Sequence, residues 1–202
     1  MSRVTTIRSE IDSFKRERIR GHAEQLFYAN GFSGTTMDAI ADSLHATKPF
    51  LYGAYAKKID ILVDIHLSVV QRILDAIETA RASSGTATEK LRRVARKLTV
   101  MTLENQAAVA IYFREETSIP GRQTRKINDI KGRIDESLSA LLSEGVASDE
   151  FKVDDIRLTA LALVGMISWS YTWYRRDGRL DIDSIGEQMA SYALRLAGAK
   201  ES

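Results

Sequence analysis

Cysteine is absent from this 202-residue chain, and histidine is scarce. Without cysteine, the chain has no disulfide bond, thiolate metal site or cysteine nucleophile. Its three histidines, His22, His45 and His66, are far apart and match no metal-ligand or catalytic-triad spacing. We therefore expect each histidine at or near the surface, and we expect no metal, no cofactor and no enzymatic activity.

Proline and long apolar runs are also rare. Only two prolines and 12 glycines occur, and no stretch shows the alternation of a β-strand. Long helices are therefore permitted, and hydrophobic residues, at 44%, can fill a core. The longest apolar run, residues 158–167, is too short to span a bilayer, and the charged N-terminus is unlike a signal peptide. We expect an all-α, cytoplasmic protein with no membrane association.

Charge is nearly balanced, at a formal net charge of +2, so the whole chain is not strongly attracted to polyanions. The first 20 residues differ from this average. They carry three acidic side chains and six basic ones, Arg3, Arg8, Lys15, Arg16, Arg18 and Arg20. This basic arm is suited to phosphate contact, although a frayed, solvated terminus has the same composition.

Residues 35–62 predict two short helices joined by a tight turn. The apolar residues of the first helix recur at helical spacing, at Met37, Ile40, Ala41 and Leu44. Thr35 can cap this first helix, and Thr47 can cap the second, with Pro49 in its first turn. This arrangement is a helix-turn-helix, in which the N-terminal side chains of the second helix meet DNA bases and phosphates.

The same stretch resembles the DNA-binding signature of the TetR family of bacterial repressors. The matching residues are Thr35, Thr36, Thr47, Lys48, Leu51, Tyr52, Tyr55, Lys58, Asp60 and Leu62. The chain departs from that signature at His45, where the family usually has glycine, and at Gly53-Ala54, where it usually has larger side chains. The resemblance implies a homodimer that binds a near-palindromic double-stranded DNA operator.

By this resemblance, nine residues are expected to contact DNA: Thr35, Thr36, Thr47, Lys48, Pro49, Phe50, Tyr52, Tyr55 and Lys58. Thr47 and Lys48 are candidates for base edges, while Tyr52, Lys58, Thr35 and Thr36 are expected at phosphates. Phe50 has two interpretations, contact with a thymine methyl group or core packing. Tyr55 likewise either contacts DNA or packs inside the three-helix unit.

Helical periodicity continues to the end of the chain, so we expect a three-helix DNA-binding domain at 1–57 and a helical bundle at 58–202. A long helix from Lys58 would connect the two. Residues 154–174 are so apolar that we expect them to be buried on most sides. The family resemblance implies dimerisation through the last two helices. The final one, residues 182–197, carries an apolar stripe that includes Met189.

The resemblance also implies an effector cavity in the bundle. We expect its lining to be Leu98, Met101, Phe113, Met166, Trp169, Trp173 and Arg176. Residues 168–180 resemble, more weakly, the equivalent stretch of TetR-type regulators that sense acyl-CoA or steroid-CoA thioesters. Three arginines there, Arg175, Arg176 and Arg179, either hold coenzyme A phosphates or simply complement the negative end of a helix.

These patterns predict a ligand-responsive transcriptional repressor that a hydrophobic effector, such as an acyl-CoA thioester, releases from DNA. An all-α DNA-binding interaction protein with no small-molecule effector is the alternative. A filled bundle without a cavity would favour that alternative.

Overall fold

The computed structural model describes residues 3–200, and it describes side chains from Glu10 onward. Within those residues the secondary structure is entirely helical. The elements are α1 (Arg3–Gly34), α2 (Met37–Ser43), α3 (Lys48–Tyr52), α4 (Lys58–Ala82), α5 (Ala87–Glu104), α6 (Gln106–Arg114), a 3-10 turn (Glu116–Ser118), α7 (Gly121–Ala147), α8 (Ile156–Ser168), α9 (Ser170–Trp173) and α10 (Ile182–Leu196).

Helix α1 presents one apolar face to the N-terminal domain. Ile19, Ala23 and Phe27 are buried at the four-residue spacing that sequence periodicity predicts. The helix breaks at Gly31, where φ is +74°, a value that glycine adopts without steric cost. Thr36 then caps α2, because its hydroxyl accepts a hydrogen bond from Ala39 N at 3.0 Å. The side chains of Arg3 and Arg8 lie outside the described residues.

Helix α4 belongs to both halves of the molecule. Its first turns bury Ile61 and Leu62 in the N-terminal domain, and its later turns bury Leu74 and Ile77 in the bundle. A boundary at residues 57/58 therefore falls at the start of a helix whose hydrophobic side is continuous. Displacement of α4 must move both domains, because close-packed side chains transmit strain rather than absorb it.

The bundle consists of α4 to α10. Helix α7 packs along α4, and α5 packs against α10. Met189 of α10 is only 6% exposed within a single chain, so its side chain belongs to the core of the subunit. The expectation that Met189 faces a partner subunit is therefore wrong.

Helix α8 is not buried on most sides, which corrects the prediction for residues 154–174. Ala160, Leu163 and Ile167 point into the core, but the opposite face remains open. Large apolar side chains of α8 and the residues after it are 50% to 65% exposed, and they are Leu158, Leu161, Trp169 and Trp173. The helix also ends at Ser168 and resumes as the short α9. None of the described helices is both long and apolar enough to cross a membrane.

Candidate nucleic-acid interface and ligand cavity

The beginning of α3 projects three exposed residues, Thr47, Lys48 and Pro49. Thr47 caps the helix through its backbone, and its hydroxyl makes no capping hydrogen bond, so it is available to a ligand. The Lys48 ammonium group lies 2.8 Å from Asp38 Oδ2, and both side chains are more than half exposed. That hydrogen bond raises the pKa of Lys48, which is therefore fully charged near neutral pH.

The turn between α2 and α3 is held in a conformation that glycine favours. His45 has a φ of +50°, and the next residue closes the turn with a hydrogen bond from Ala46 N to Ala41 O at 3.0 Å. A side chain in this region costs free energy, although histidine tolerates it better than most residues. At His45 the chain thus departs from the family signature in residue type, while its backbone keeps a conformation suited to glycine.

Phe50 and Tyr52 of α3 are 37% and 49% exposed, so neither is a core residue. Lys15 of α1 stands 4.5 Å from the centre of the Phe50 ring. It can approach because Gly53 has no side chain: a Cβ there would lie 3.0 Å from Lys15 Nζ. Lys15 therefore joins the exposed surface of α3, a position that helix spacing alone does not reveal.

Two residues expected at DNA phosphates have their polar groups engaged inside the domain. Thr35 is 2% exposed, and its hydroxyl donates to Gly31 O at 2.9 Å and to Leu26 O at 3.2 Å. The Lys58 ammonium donates to Phe32 O at 2.5 Å and to Thr35 O at 2.6 Å. These residues fix the ends of α1 and α4, where carbonyl groups would otherwise lack donors. Lys57, one residue earlier, is exposed.

Tyr55 follows the packing interpretation. It is 2% exposed, and its hydroxyl donates to a carboxylate oxygen of Asp64 on α4. The Arg16 guanidinium lies 4.7 Å from the Tyr55 ring centre. Burial, followed by the hydrogen bond to Asp64, raises the pKa of the Tyr55 phenol far above its usual value. Tyr55 therefore links α1, α3 and α4 instead of facing outward.

An apolar chamber of about 380 Å³ lies in the bundle between α4, α6, α7 and α8. It is the size of a small-molecule pocket, and most of its lining is aliphatic or aromatic. The lining residues are Val69, Val70, Ile73, Thr102, Val109, Tyr112, Phe113, Lys131, Ile134, Asp135, Leu161, Val164, Gly165 and Ser168. The bundle is therefore not filled, contrary to what the alternative function without an effector requires.

The structure does not bring the seven expected effector residues together. Phe113 lines the chamber, while Leu98 and Met101 line a narrow space beside it. Met166 packs against the core without lining the chamber. Trp169 and Trp173 lie on the open face of α8 and α9, because the break at Ser168 turns them away from the bundle.

Arg176 lines a separate polar pocket of about 300 Å³ with Glu24, Tyr28 and Gln106. The chamber residues that sequence reasoning missed come mainly from α4 and α7. Val69, Ile73 and Ile134 share the helical spacing of ordinary core residues, so periodicity could place them inside but could not show that a space remains between them.

The C-terminal end of α6 connects this chamber to the N-terminal domain. Tyr112 and Phe113 line the chamber, and Glu115 follows two positions later. Glu115 Oε1 accepts a hydrogen bond from Phe32 N at 3.1 Å, next to the break in α1. Arg114 lies 5.3 Å from the Tyr28 ring centre. The same short segment thus contacts both the cavity and the DNA-binding domain.

A helix-turn-helix with an exposed second helix, joined by α4 to a bundle with an internal cavity, defines a DNA-binding transcriptional regulator with a ligand-binding domain. The comparison with protein families identifies the particular group. The family described as "Bacterial regulatory proteins, tetR family" matches residues 19–65. The one described as "Tetracyclin repressor-like, C-terminal domain" matches residues 84–197, more than half of the chain. The protein belongs to the TetR family.

Solved structures of similar fold agree with this assignment. A tetR-family regulatory protein from Rhodococcus RHA1 has a TM-score of 0.84 at 24% identity, covering 93% of this chain and 98% of that one. PfmR from Thermus thermophilus has a TM-score of 0.80 at 26% identity, covering 88% and 97%. AibR, solved with isovaleryl coenzyme A and operator DNA, has a TM-score of 0.78 at 23% identity, covering 92% and 100%. No protein of curated function matches the sequence.

Proposed function

We propose that this protein is a dimeric, cytoplasmic repressor that binds a near-palindromic operator and is released when a hydrophobic effector fills the chamber. The observation that carries the proposal is the position of α6, whose end lines the chamber and also holds Phe32 through Glu115. An effector that binds better when α6 is displaced would shift the molecule toward a state with displaced DNA-binding domains.

The proposed DNA surface consists of the exposed members of the expected set and two further cations. It comprises Thr36, Thr47, Lys48, Pro49, Phe50, Tyr52, Lys15 and Lys57. Lys48 and Thr47 would meet base edges, because they stand at the N-terminus of the helix that enters the major groove. Lys15, Lys57 and Tyr52 would contact phosphates. Thr35, Tyr55 and Lys58 would act by holding the helices that present these groups.

The proposed dimer interface is the open apolar face of α8 and α9 together with α10. Leu158 and Trp169 are 65% and 61% exposed, and Tyr192 and Leu196 of α10 are 43% and 44% exposed. An apolar patch of this kind marks an interaction site in most proteins. A twofold interface would use the same face twice and would fix the spacing of the two DNA-binding helices.

For the effector we propose a molecule with an apolar chain, and an acyl-CoA thioester is the candidate of that class. The chamber offers mainly carbon atoms, and its charged residue Lys131 is already bonded to Glu116 at 2.5 Å. AibR, a protein of similar fold, was solved with isovaleryl coenzyme A. A ligand such as decanoyl-CoA would place its chain in the chamber.

The DNA part is tested by selecting an operator from a random duplex library and measuring its affinity for variants. Lys48→Ala is expected to cost about 1–3 kcal/mol on the selected site and to relax one base position. Lys57→Ala is expected to weaken all sequences similarly and to reduce the log–log salt slope by about 1. Lys152→Ala, an exposed lysine of the bundle, serves as the matched control. An unchanged selected motif with Lys48→Ala would remove α3 from the base-reading role.

The effector part is tested by operator release with decanoyl-CoA in the wild type and in Val69→Phe. Val69 faces the chamber from α4, so the larger ring should occupy ligand space. We expect the variant to bind operator normally and to respond at least tenfold less to the thioester. Release of equal potency from both proteins would place the effector outside the chamber.

A further inference from the structure

A second, open groove runs between α4 and α5, next to the chamber. Its volume is about 610 Å³. Three basic side chains, Arg72, Arg93 and Lys97, line it together with two acidic ones, Asp75 and Glu104. The groove therefore differs from the chamber in composition, and it is accessible to solvent.

A narrow space of about 30 Å³ separates the groove from the chamber. Its residues Val69, Ile73, Thr102 and Val109 also line the chamber, while Arg72, Met101 and Asn105 also line the groove. One layer of side chains thus lies between each pair of neighbouring spaces. The three spaces form a sequence from an apolar interior, through a constriction, to a polar exterior.

The basic residues of α5 form two rows with different surroundings. Arg96, on the side facing α10, is paired with Asp183 at 2.7 Å and with Glu187 at 2.6 Å. Arg93 and Lys97, on the groove side, form no ion pair within 4.0 Å with any side chain between residues 10 and 200. Arg93 donates to Ser84 O at 2.7 Å, which leaves its charge uncompensated. The row along the groove is therefore available to an anionic ligand.

The dimensions of the groove select a long head group. Along α4 it extends from Arg72 to Ser83, a distance of about 16 Å at the rise of an α-helix. On α5, Lys97 and Arg93 lie about 6 Å and 12 Å beyond Met101 at the constriction. A carboxylate at the end of a chain in the chamber would reach Arg72 at most. Contact with Lys97 and Arg93 requires a head group with several separated anionic atoms.

We propose that the effector is amphipathic, with an apolar chain in the chamber and a polyanionic, phosphate-bearing head in the groove, bound by Arg72, Arg93 and Lys97. This inference rests on the proposed function of the chamber. It assigns the head group to a place other than Arg175, Arg176 and Arg179. Arg175 donates to Thr172 O at 3.3 Å and to Tyr174 O at 3.0 Å, so it caps its own helix end.

The test measures binding of decanoyl-CoA, decanoic acid and coenzyme A by calorimetry at low salt. The wild type should bind the thioester more tightly than the acid, and 0.5 M KCl should remove most of that difference. Arg93→Ala/Lys97→Ala should weaken thioester binding about tenfold, with two partly exposed ion pairs lost, and should leave the acid unchanged. Arg92→Ala/Arg96→Ala removes the same charge from the other row and should leave both affinities unchanged.

The outcomes separate the groove from the chamber. If wild-type protein binds acid and thioester equally, the head-group site is wrong while the chamber can stand. If it binds neither probe, both proposals fail. A loss of thioester preference in Arg176→Ala/Arg179→Ala, but not in the groove variant, would return the head group to the arginines after α9. Equal loss of both probes in the groove variant would also overturn the assignment, and Lys97→Glu must weaken the thioester more than Lys97→Ala.

Discussion

The hydrogen bond between Glu115 and Phe32 predicts a variant that separates DNA binding from effector response. Glu115 accepts from Phe32 N at 3.1 Å through one carboxylate oxygen and from Ser118 Oγ at 2.9 Å through the other. Phe32 O in turn accepts from Lys58 at the start of α4. Glu115→Ala therefore removes a direct link between α6 and the DNA-binding domain, while the link through α4 remains.

The magnitude follows from the partly buried position of this bond. A hydrogen bond to a charged acceptor contributes about 1.5–3 kcal/mol net, and partial exposure lowers this to about 1 kcal/mol. If the effector acts by straining this link, the coupling free energy should fall by the same amount. The ratio of operator affinities without and with effector should then decrease about fivefold. Glu115→Gln keeps a neutral acceptor and should show roughly half of the effect in free energy.

The assay is fluorescence anisotropy of labelled operator, with and without saturating decanoyl-CoA. Glu136→Ala, an exposed acidic residue of α7, provides the control for the change in charge. We expect Glu115→Ala to bind operator within about twofold of the wild type in the absence of ligand. A full effector response in Glu115→Ala would refute the role of this link, and loss of operator binding without ligand would show that the bond instead maintains the DNA-binding state.

Three further variants test other parts of the structure. His45→Gly should stabilise the protein by about 0.5 kcal/mol, since glycine relieves the positive φ but loses more entropy on folding; a lower thermal midpoint would contradict this. His66 is 1% exposed, and burial lowers its pKa below 6.5, so the unfolded chain binds more protons below that pH. Stability should therefore fall as the pH decreases from 6.5 toward the lowered pKa, and His66→Gln should flatten this dependence in denaturant titrations at several pH values; an unchanged slope would exclude His66 as its source. Leu158→Glu should produce monomers that bind operator poorly by sedimentation and anisotropy, whereas Val146→Glu, an equally drastic change on α7, should remain dimeric; a dimeric Leu158→Glu protein would move the interface elsewhere.

The linear pattern of residues was sufficient for the fold class and for the helix-turn-helix. Helical spacing depends on neighbours three and four positions apart, so Ile40, Leu44 and Leu51 could be placed in the core from the sequence. Capping and turn residues act over the same short range. For that reason Thr36, Gly31 and Thr47 were correctly predicted near helix ends.

Tertiary structure decided which side chains have free functional groups. Thr35 and Lys58 match the DNA-binding signature, yet their donors are engaged by carbonyl groups of residues distant in the chain or across a turn. His66 was expected near the surface, but α6 covers it, and its Nε2 lies 3.2 Å from Tyr112 O. The chamber and the groove likewise depend on how α4, α5 and α7 diverge in space. Periodicity assigns a residue to one side of a helix, but only the packing of several helices determines whether that side meets another side chain, a cavity or solvent.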